Sequence, residues 1–181
     1  IDGDRDEGLQ LLFVAKMKEG GRASRWIAES LKEGSPVRLQ GPFGVFTLHP
    51  ENAKEYLFIA TSTGVAPLRG HIVDALHRGE ERHMDLVYCV RSEEDLFWHK
   101  ELSELATAHP QFSLHATLSA GSDSWKGHRG RVQAVTKEAV PDAALRQVYI
   151  CGSPAMTTDM KKMCLEEWKI DRKDLHVEGY I

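Results

Sequence analysis

Two short stretches carry the residue types that hold nucleotide phosphates. Thr61-Ser62-Thr63-Gly64-Val65-Ala66-Pro67 follows an apolar run and precedes a helical pattern. A strand-to-helix turn offers free backbone N–H groups at the positive end of a helix dipole, which suits a pyrophosphate. Gly64 lets a ligand approach the backbone, and Pro67 suits a first helical turn, where its missing N–H removes no bond. Cys151-Gly152-Ser153-Pro154-Ala155-Met156 repeats the device: an apolar strand, a glycine, then a proline opening a helix. Gly20-Gly21-Arg22-Ala23-Ser24 and Gly41-Pro42-Phe43-Gly44 are two further glycine-marked turns. Taken singly, each is equally a tight turn with a good cap, and a buried cysteine such as Cys151 is usually a small apolar residue. The GxGxxG fingerprint of ordinary dehydrogenases is absent.

The elements that must position these turns follow from periodicity. Residues 9–18 form an apolar run that becomes alternating, which predicts a strand of a half-buried sheet. Ser24 is placed to cap a short helix, Arg25 to Leu31, ended by Glu33-Gly34-Ser35-Pro36, and Val37-Arg38-Leu39 reads as a brief strand. From Glu55 onward strand and helix alternate. Strands are predicted at Tyr56–Ala60, Met84–Val90, Phe112–Leu118, Gln147–Cys151 and Leu175–Val177. Helices are predicted at Ala66–Arg78, Trp98–Ala108, about Val132 to Ala139, and Ala155–Trp168. In the first of these helices Leu68, Ile72, Ala75 and Leu76 share one side.

Repeated β–α units imply an α/β fold, a doubly wound five-stranded parallel sheet with helices on both faces. The first fifty residues read instead as all-β material with one helix, too little to close a barrel by itself. Boundaries of 1–50 and 51–181 follow. In open parallel sheets ligands bind beyond the carboxyl ends of the strands, where the strand order reverses. The glycine turns after the first and fourth strands belong there.

Bulk properties narrow the classes. Of 181 residues, 41% are hydrophobic and 28% charged, enough for an ordinary core. A net charge of -4 supplies no basic surface for nucleic acid. No apolar run approaches the roughly 18 residues of a spanning helix. Three scattered cysteines and nine histidines show no metal spacing, so no metal is expected, and sparse cysteines point to a reducing, cytoplasmic setting.

In order along the chain stand Gly21-Arg22-Ala23-Ser24, Gly41-Pro42-Phe43-Gly44, Ala60 to Pro67, Val90-Arg91 with Asp95-Leu96-Phe97, and Cys151 to Met156. This succession resembles the motifs of the ferredoxin–NADP reductase superfamily from about Gly8 to Tyr180. The resemblance implies a flavin-dependent NAD(P)H oxidoreductase that passes hydride from NADH or NADPH to FAD. Electrons then go to an iron–sulfur or haem partner on another domain or protein. An NAD(P)H-binding module without turnover is the alternative. The resemblance assigns Arg22, Ala23 and Ser24 to the flavin pyrophosphate, and Gly41, Pro42, Phe43 and Gly44 to a loop beside the flavin. Ser62, Thr63, Gly64 and Pro67 fall in the nicotinamide-nucleotide turn, with Thr63 near the flavin and Ser62 where many members have glycine. Cys151, Gly152 and Met156 match the Cys-Gly-x-x-x-Met motif, whose cysteine lies beside the hydride-delivering carbon, so Cys151 and Thr63 are the catalytic candidates. Arg91 and Asp95 match residues around the adenine ribose, and Tyr180 an aromatic that stacks on the flavin. The family's Arg-x-Tyr-Ser/Thr motif is not in this sequence, which reads as a flavin domain truncated at its N-terminal side. By the same resemblance the first fifty residues are part of that domain's antiparallel β-barrel. Ala120 stands where plant-type NADP enzymes have arginine. That points towards NADH, with Arg91, Lys126, His128 and Arg129 as alternative ligands for a 2′-phosphate.

Overall fold

Apolar residues in this chain sort themselves by which side of one sheet they face. A computed structural model describes residues 11–41 and 43–180. The chain divides into two compact units, with the boundary between Val45 and Phe46.

The second unit holds six strands: β1 Tyr56–Thr61, β2 Met84–Val90, β3 Phe112–Leu118, β4 His128–Arg129, β5 Gln147–Gly152 and β6 Leu175–Gly179. Their order across the sheet is β4-β3-β2-β1-β5-β6, and every pairing is parallel. The expected doubly wound parallel sheet is present, with one strand more than the five expected. The extra strand, β4, is two residues long and lies inside a segment whose polar composition reads as loop. It is too short for any periodicity to register.

β1, β2 and β5 are buried on both faces, which is why they read as continuous apolar runs rather than alternating ones. Tyr56, Phe58 and Ala60 join Val65, Leu68 and Ile72 of α2 (Val65–His77) and Leu102 of α3 (His99–Ala108) in one core. Leu57 and Ile59 point the other way, to Val132 and Val135 of α4 (Val132–Ala139) and Met156 and Met160 of α5 (Pro154–Lys162). The chain builds outward from β1 through β2 and β3 to β4, then returns to place β5 on the free side of β1. The order therefore reverses between β1 and β5.

The opposite ends of these strands carry a buried charge network that periodicity does not reveal. Asp85, near the start of β2, bonds the Arg146 guanidinium at 2.8 Å and His115 at 2.6 Å. Arg146 also reaches Asp142 and Glu55. Both Asp85 and Arg146 are buried, and a buried charge persists only when paired in this way. Residues 46–54 cross this domain as a strap. Phe46 and Leu48 pack on the core. The His49 amide donates to the Tyr149 hydroxyl at 2.9 Å, and the rings of His49, His176 and Tyr149 stack in series. Asp174, wholly buried, accepts from Asn52 and Lys54.

The first unit departs from expectation. Its helix α1 spans Arg22–Arg25 and continues as a π-helical turn, Trp26–Ser30, so it starts three residues before the predicted Arg25. The N-cap is Gly21 rather than Ser24, whose hydroxyl instead accepts the Lys18 amide at 2.8 Å. Neither the predicted strand at residues 9–18 nor that at Val37–Leu39 is formed among the described residues, and the partial barrel is absent among them. Residues 9 and 10 lie outside the described set. A strand exists only where a neighbour accepts its backbone bonds, and these segments have none among the described residues. Leu12, Phe13, Val37 and Leu39 are accordingly exposed.

Candidate functional site

Thr61 ends β1, and Ser62–Gly64 form a single 3₁₀ turn that feeds directly into α2. Ser62 has φ +50°, the left-handed conformation that glycine adopts without steric cost. The turn is therefore built as a glycine turn with serine in it. Gly64 is buried, and a Cβ there would lie 2.2 Å from the carbonyl oxygen of Cys151 and 2.7 Å from the Cα of Gly152. Both neighbours are backbone, so nothing can swing aside. The absent side chain is what lets the β1–α2 turn press against the end of β5.

β5 is built to the same tolerance. Gly152 has φ +155°, and a Cβ on it would lie 2.1 Å from Thr61 Oγ1 and 2.8 Å from the methyl of Met156. Thr61 Oγ1 accepts the Ser153 amide at 3.3 Å. Ser153 in turn caps α5, its hydroxyl accepting the Met156 amide at 3.4 Å, with Pro154 at the first helical position. The amide of Tyr180 donates to the Gly152 carbonyl at 2.8 Å. Two helix N-termini, two glycines and the Cys151 thiol thus converge where the strand order reverses.

Electrostatics fix what the thiol can do. Burial pushes Cys151 up to about 12, against a smaller opposing effect of a hydrogen bond with the Tyr180 phenol. At neutral pH it is an uncharged thiol, neither base nor nucleophile. Tyr180 is itself raised, chiefly by burial of its hydroxyl beside that sulfur. Around this point lie helix-terminal dipoles and small side chains, with Glu178 of β6 paired in register with Cys151 and its carboxylate raising the thiol further. The helix termini can bind an anionic dinucleotide and orient its reacting end.

Most of the residues singled out in the sequence meet at this crevice: Ser62, Thr63, Gly64 and Pro67 from the first turn, Cys151, Gly152 and Met156 from the second, and Tyr180 from the chain's end. Thr61 was not singled out, although its hydroxyl ties the two turns together. A β-branched polar residue closing an apolar strand is the signal that marked it. Arg91 and Asp95 lie in the loop after β2. Arg91 is exposed. The Asp95 carboxylate accepts from the amide and hydroxyl of Ser92 at 3.3 and 3.0 Å, so it is engaged in capping its own turn. Arg129, one of the alternative phosphate ligands, is exposed but engaged: its guanidinium donates to the carbonyls of Gly121, Ser122 and Trp125. In the first unit Arg22, Ala23 and Ser24 all lie on α1, Gly41, Phe43 and Gly44 are exposed, and Pro42 lies outside the described residues. Among the described residues no group of three or more side chains is arranged to hold a metal ion, and no helix is long and apolar enough to cross a membrane.

A parallel sheet flanked on both faces by helices, its order reversing at two glycine-lined strand ends beside two helix N-termini, defines a doubly wound dinucleotide-binding domain. The profile of the oxidoreductase NAD-binding domain family matches residues 58–162, and the chain belongs to that family. It is 36% identical over 168 residues to a ferredoxin–NADP reductase B of Sorangium cellulosum, covering 90% of this chain and 68% of that protein. It is 31% identical over 192 residues to the reductase component of a phenol 2-monooxygenase of a Pseudomonas species, covering 99% of this chain and 54% of that protein. Among solved structures, a cytochrome P450 reductase of Amycolatopsis superimposes with a TM-score of 0.80 at 29% identity, over 91% of this chain and 50% of that one. The chain therefore spans between about half and two thirds of the length of these relatives.

Proposed function

We propose that this chain is the nicotinamide-coenzyme half of a flavin-dependent NAD(P)H oxidoreductase. In the whole protein NADH or NADPH delivers hydride to FAD, and electrons then pass to an iron–sulfur or haem partner. The close approach of the two turns, in which Gly64 lies against the backbone of Cys151 and Gly152 while Gly152 lies against Thr61 and Met156, is the observation that carries this reading. It brings the N-termini of α2 and α5 together at the carboxyl ends of β1 and β5, and helix N-termini favour a pyrophosphate.

In this reading Thr63 and Gly64 cradle the pyrophosphate from the N-terminus of α2, with Pro67, which has no N–H, in the first turn where no intrahelical bond is lost. Cys151 and Thr63 frame the reacting end of the coenzyme by contact and dipole. Met156 and Gly152 hold Cys151 at the strand end. Tyr180 caps the thiol and keeps water from it. Flavin, when bound, supplies the switch from hydride to single-electron chemistry, and the protein's contribution is position. Arg22, Ala23 and Ser24, with Gly41, Pro42, Phe43 and Gly44, belong to the flavin-facing part in the same reading. Arg91 lies towards the adenine ribose. Residues 1–50 then belong to the flavin domain and 51–181 to the coenzyme domain. A cytoplasmic setting suits the buried free thiols of Cys89, Cys151 and Cys164.

A second reading has one specific observation in its favour. The described residues of the first unit form no strand ladder, as expected if this chain binds coenzyme and turns nothing over by itself. The experiment that separates them measures bound flavin after purification, then the bleaching of that flavin by NADH in a stopped-flow mixer. The reductase reading expects a yellow protein reduced within a turnover time. A colourless chain that still binds NADH supports the module, and a chain that binds no nicotinamide coenzyme overturns both.

A further inference from the structure

The sheet order sets how far the bound coenzyme reaches. β5, β1, β2 and β3 are consecutive and parallel, so their carboxyl ends form one rim. Neighbouring strands lie about 4.8 Å apart, so that rim runs about 14 Å from the end of β5 to the end of β3. With one end at Cys151 and the pyrophosphate at the β1–α2 turn, an extended dinucleotide lays its adenosine over the loops that follow β2 and β3.

Those two loops are joined. The Ser119 and Ala120 amides donate to the carbonyls of Val90 and Arg91 at 3.0 and 2.9 Å. Further out, the Ser122 hydroxyl donates to Glu93 Oε1 at 2.7 Å and is itself within 2.6 Å of the Ser124 hydroxyl. The Glu93 carboxylate is thereby anchored between the loops by one oxygen, and its second oxygen has no protein partner among the described residues. Arg129 of β4 is engaged with three carbonyls of the loop before it. Arg91 and Lys126 remain exposed, against Glu93, Glu94, Asp95 and Asp123 on the same two loops.

We propose that Glu93, held by Ser122, is the specificity residue of the coenzyme site and selects NADH over NADPH. The inference rests on the dinucleotide reading of the crevice. An acidic side chain beyond the second strand of a dinucleotide fold accepts a hydrogen bond from a ribose hydroxyl. The same carboxylate repels a 2′-phosphate, whose charge it meets without an opposing fixed cation. Asp95, closer to the helix, cannot take this part because both its contacts are local.

The test is calorimetric titration of the chain with NADH and with NADPH, for the wild type, Glu93→Gln and Ser122→Ala. The wild type is expected to bind NADH at least about tenfold more tightly than NADPH. Glu93→Gln should close most of that gap by tightening NADPH, with its thermal midpoint unchanged because the side chain is exposed. Ser122→Ala, which frees the carboxylate without removing it, should narrow the gap less. A wild type that binds NADPH as tightly as NADH overturns the proposal and leaves the dinucleotide reading intact. So does a ratio that Glu93→Gln leaves unmoved. Binding of neither coenzyme overturns the dinucleotide reading, and the role of Glu93 with it.

Discussion

At the scale of the residue, the crevice is defined by what is missing from it as much as by what is there. Cys151 was legible in the sequence as the close of an apolar strand, but that alone is the description of a core residue. Its neighbours make the difference: a glycine on either side of the chain crossing and a phenol against the sulfur. Because burial holds the thiol protonated to about 12, its contribution is shape and polarity. Cys151→Ala in a flavin-containing full-length form should slow single-turnover flavin reduction by about tenfold or more, since small misplacements of the donor carbon carry large rate effects. Coenzyme affinity, which rests on the turns, should hardly change. An unaltered reduction rate would remove Cys151 from the hydride path. The engagement of Asp95 and Arg129 within their own loops was not legible, because both depend on bonds that close only when the loops fold.

Among the elements, the β–α alternation from Glu55 onward was readable almost to the residue. Strands buried on both faces give apolar runs, and helices bearing one apolar side give the 3.6-residue pattern. β2, β3 and α4 have the bounds that periodicity predicts, while β1 and β5 each extend by one polar or glycine residue. In the first unit the predicted strands do not form among the described residues, because alternation indicates a strand only when a partner strand is present, and a serine before a helical pattern does not reveal which backbone amide it will bind. The close approach of the β1–α2 turn to β5 gives a sharp test at this scale. Gly64→Ala introduces a Cβ about 2 Å from a backbone carbonyl, an overpacking that neither turn can relieve by rotating a side chain. We expect a loss of about 2–3 kcal/mol in urea denaturation and loss of coenzyme binding. Near-wild-type stability would show that the two turns do not meet as described.

For the whole molecule, the strap of residues 46–54 and the strands beneath it share a histidine-rich contact that ties stability to pH. His71 is half-buried, its ring against Phe46, Phe58 and Tyr149. Its Nε2–H donates to the Phe46 carbonyl at 3.2 Å, and Nδ1 has no partner among the described residues. Burial lowers His71, with smaller opposing effects from that bond and from Asp74. His176, stacked between His49 and Tyr149, is also lowered, first by burial and then by the neighbouring His49. A histidine lowered in the fold binds fewer protons folded than unfolded. Stability is therefore at its full value above the ordinary value of 6.5 and declines as pH falls below it. The thermal midpoint should fall between pH 7.5 and 5.5, and His71→Phe should flatten that fall. An identical pH dependence in the variant would exclude His71 as its source.

The central claim is that a nicotinamide dinucleotide lies across the carboxyl ends of β5, β1 and β2. Titrating NADH into the ¹⁵N-labelled chain and following its amide resonances tests this most directly. The account predicts saturable shifts concentrated at Ser62 to Val65 and at Gly152, Ser153 and Met156, with weaker ones at Arg91 to Glu93. Shifts confined to other parts of the molecule, or none at saturating coenzyme, would contradict it.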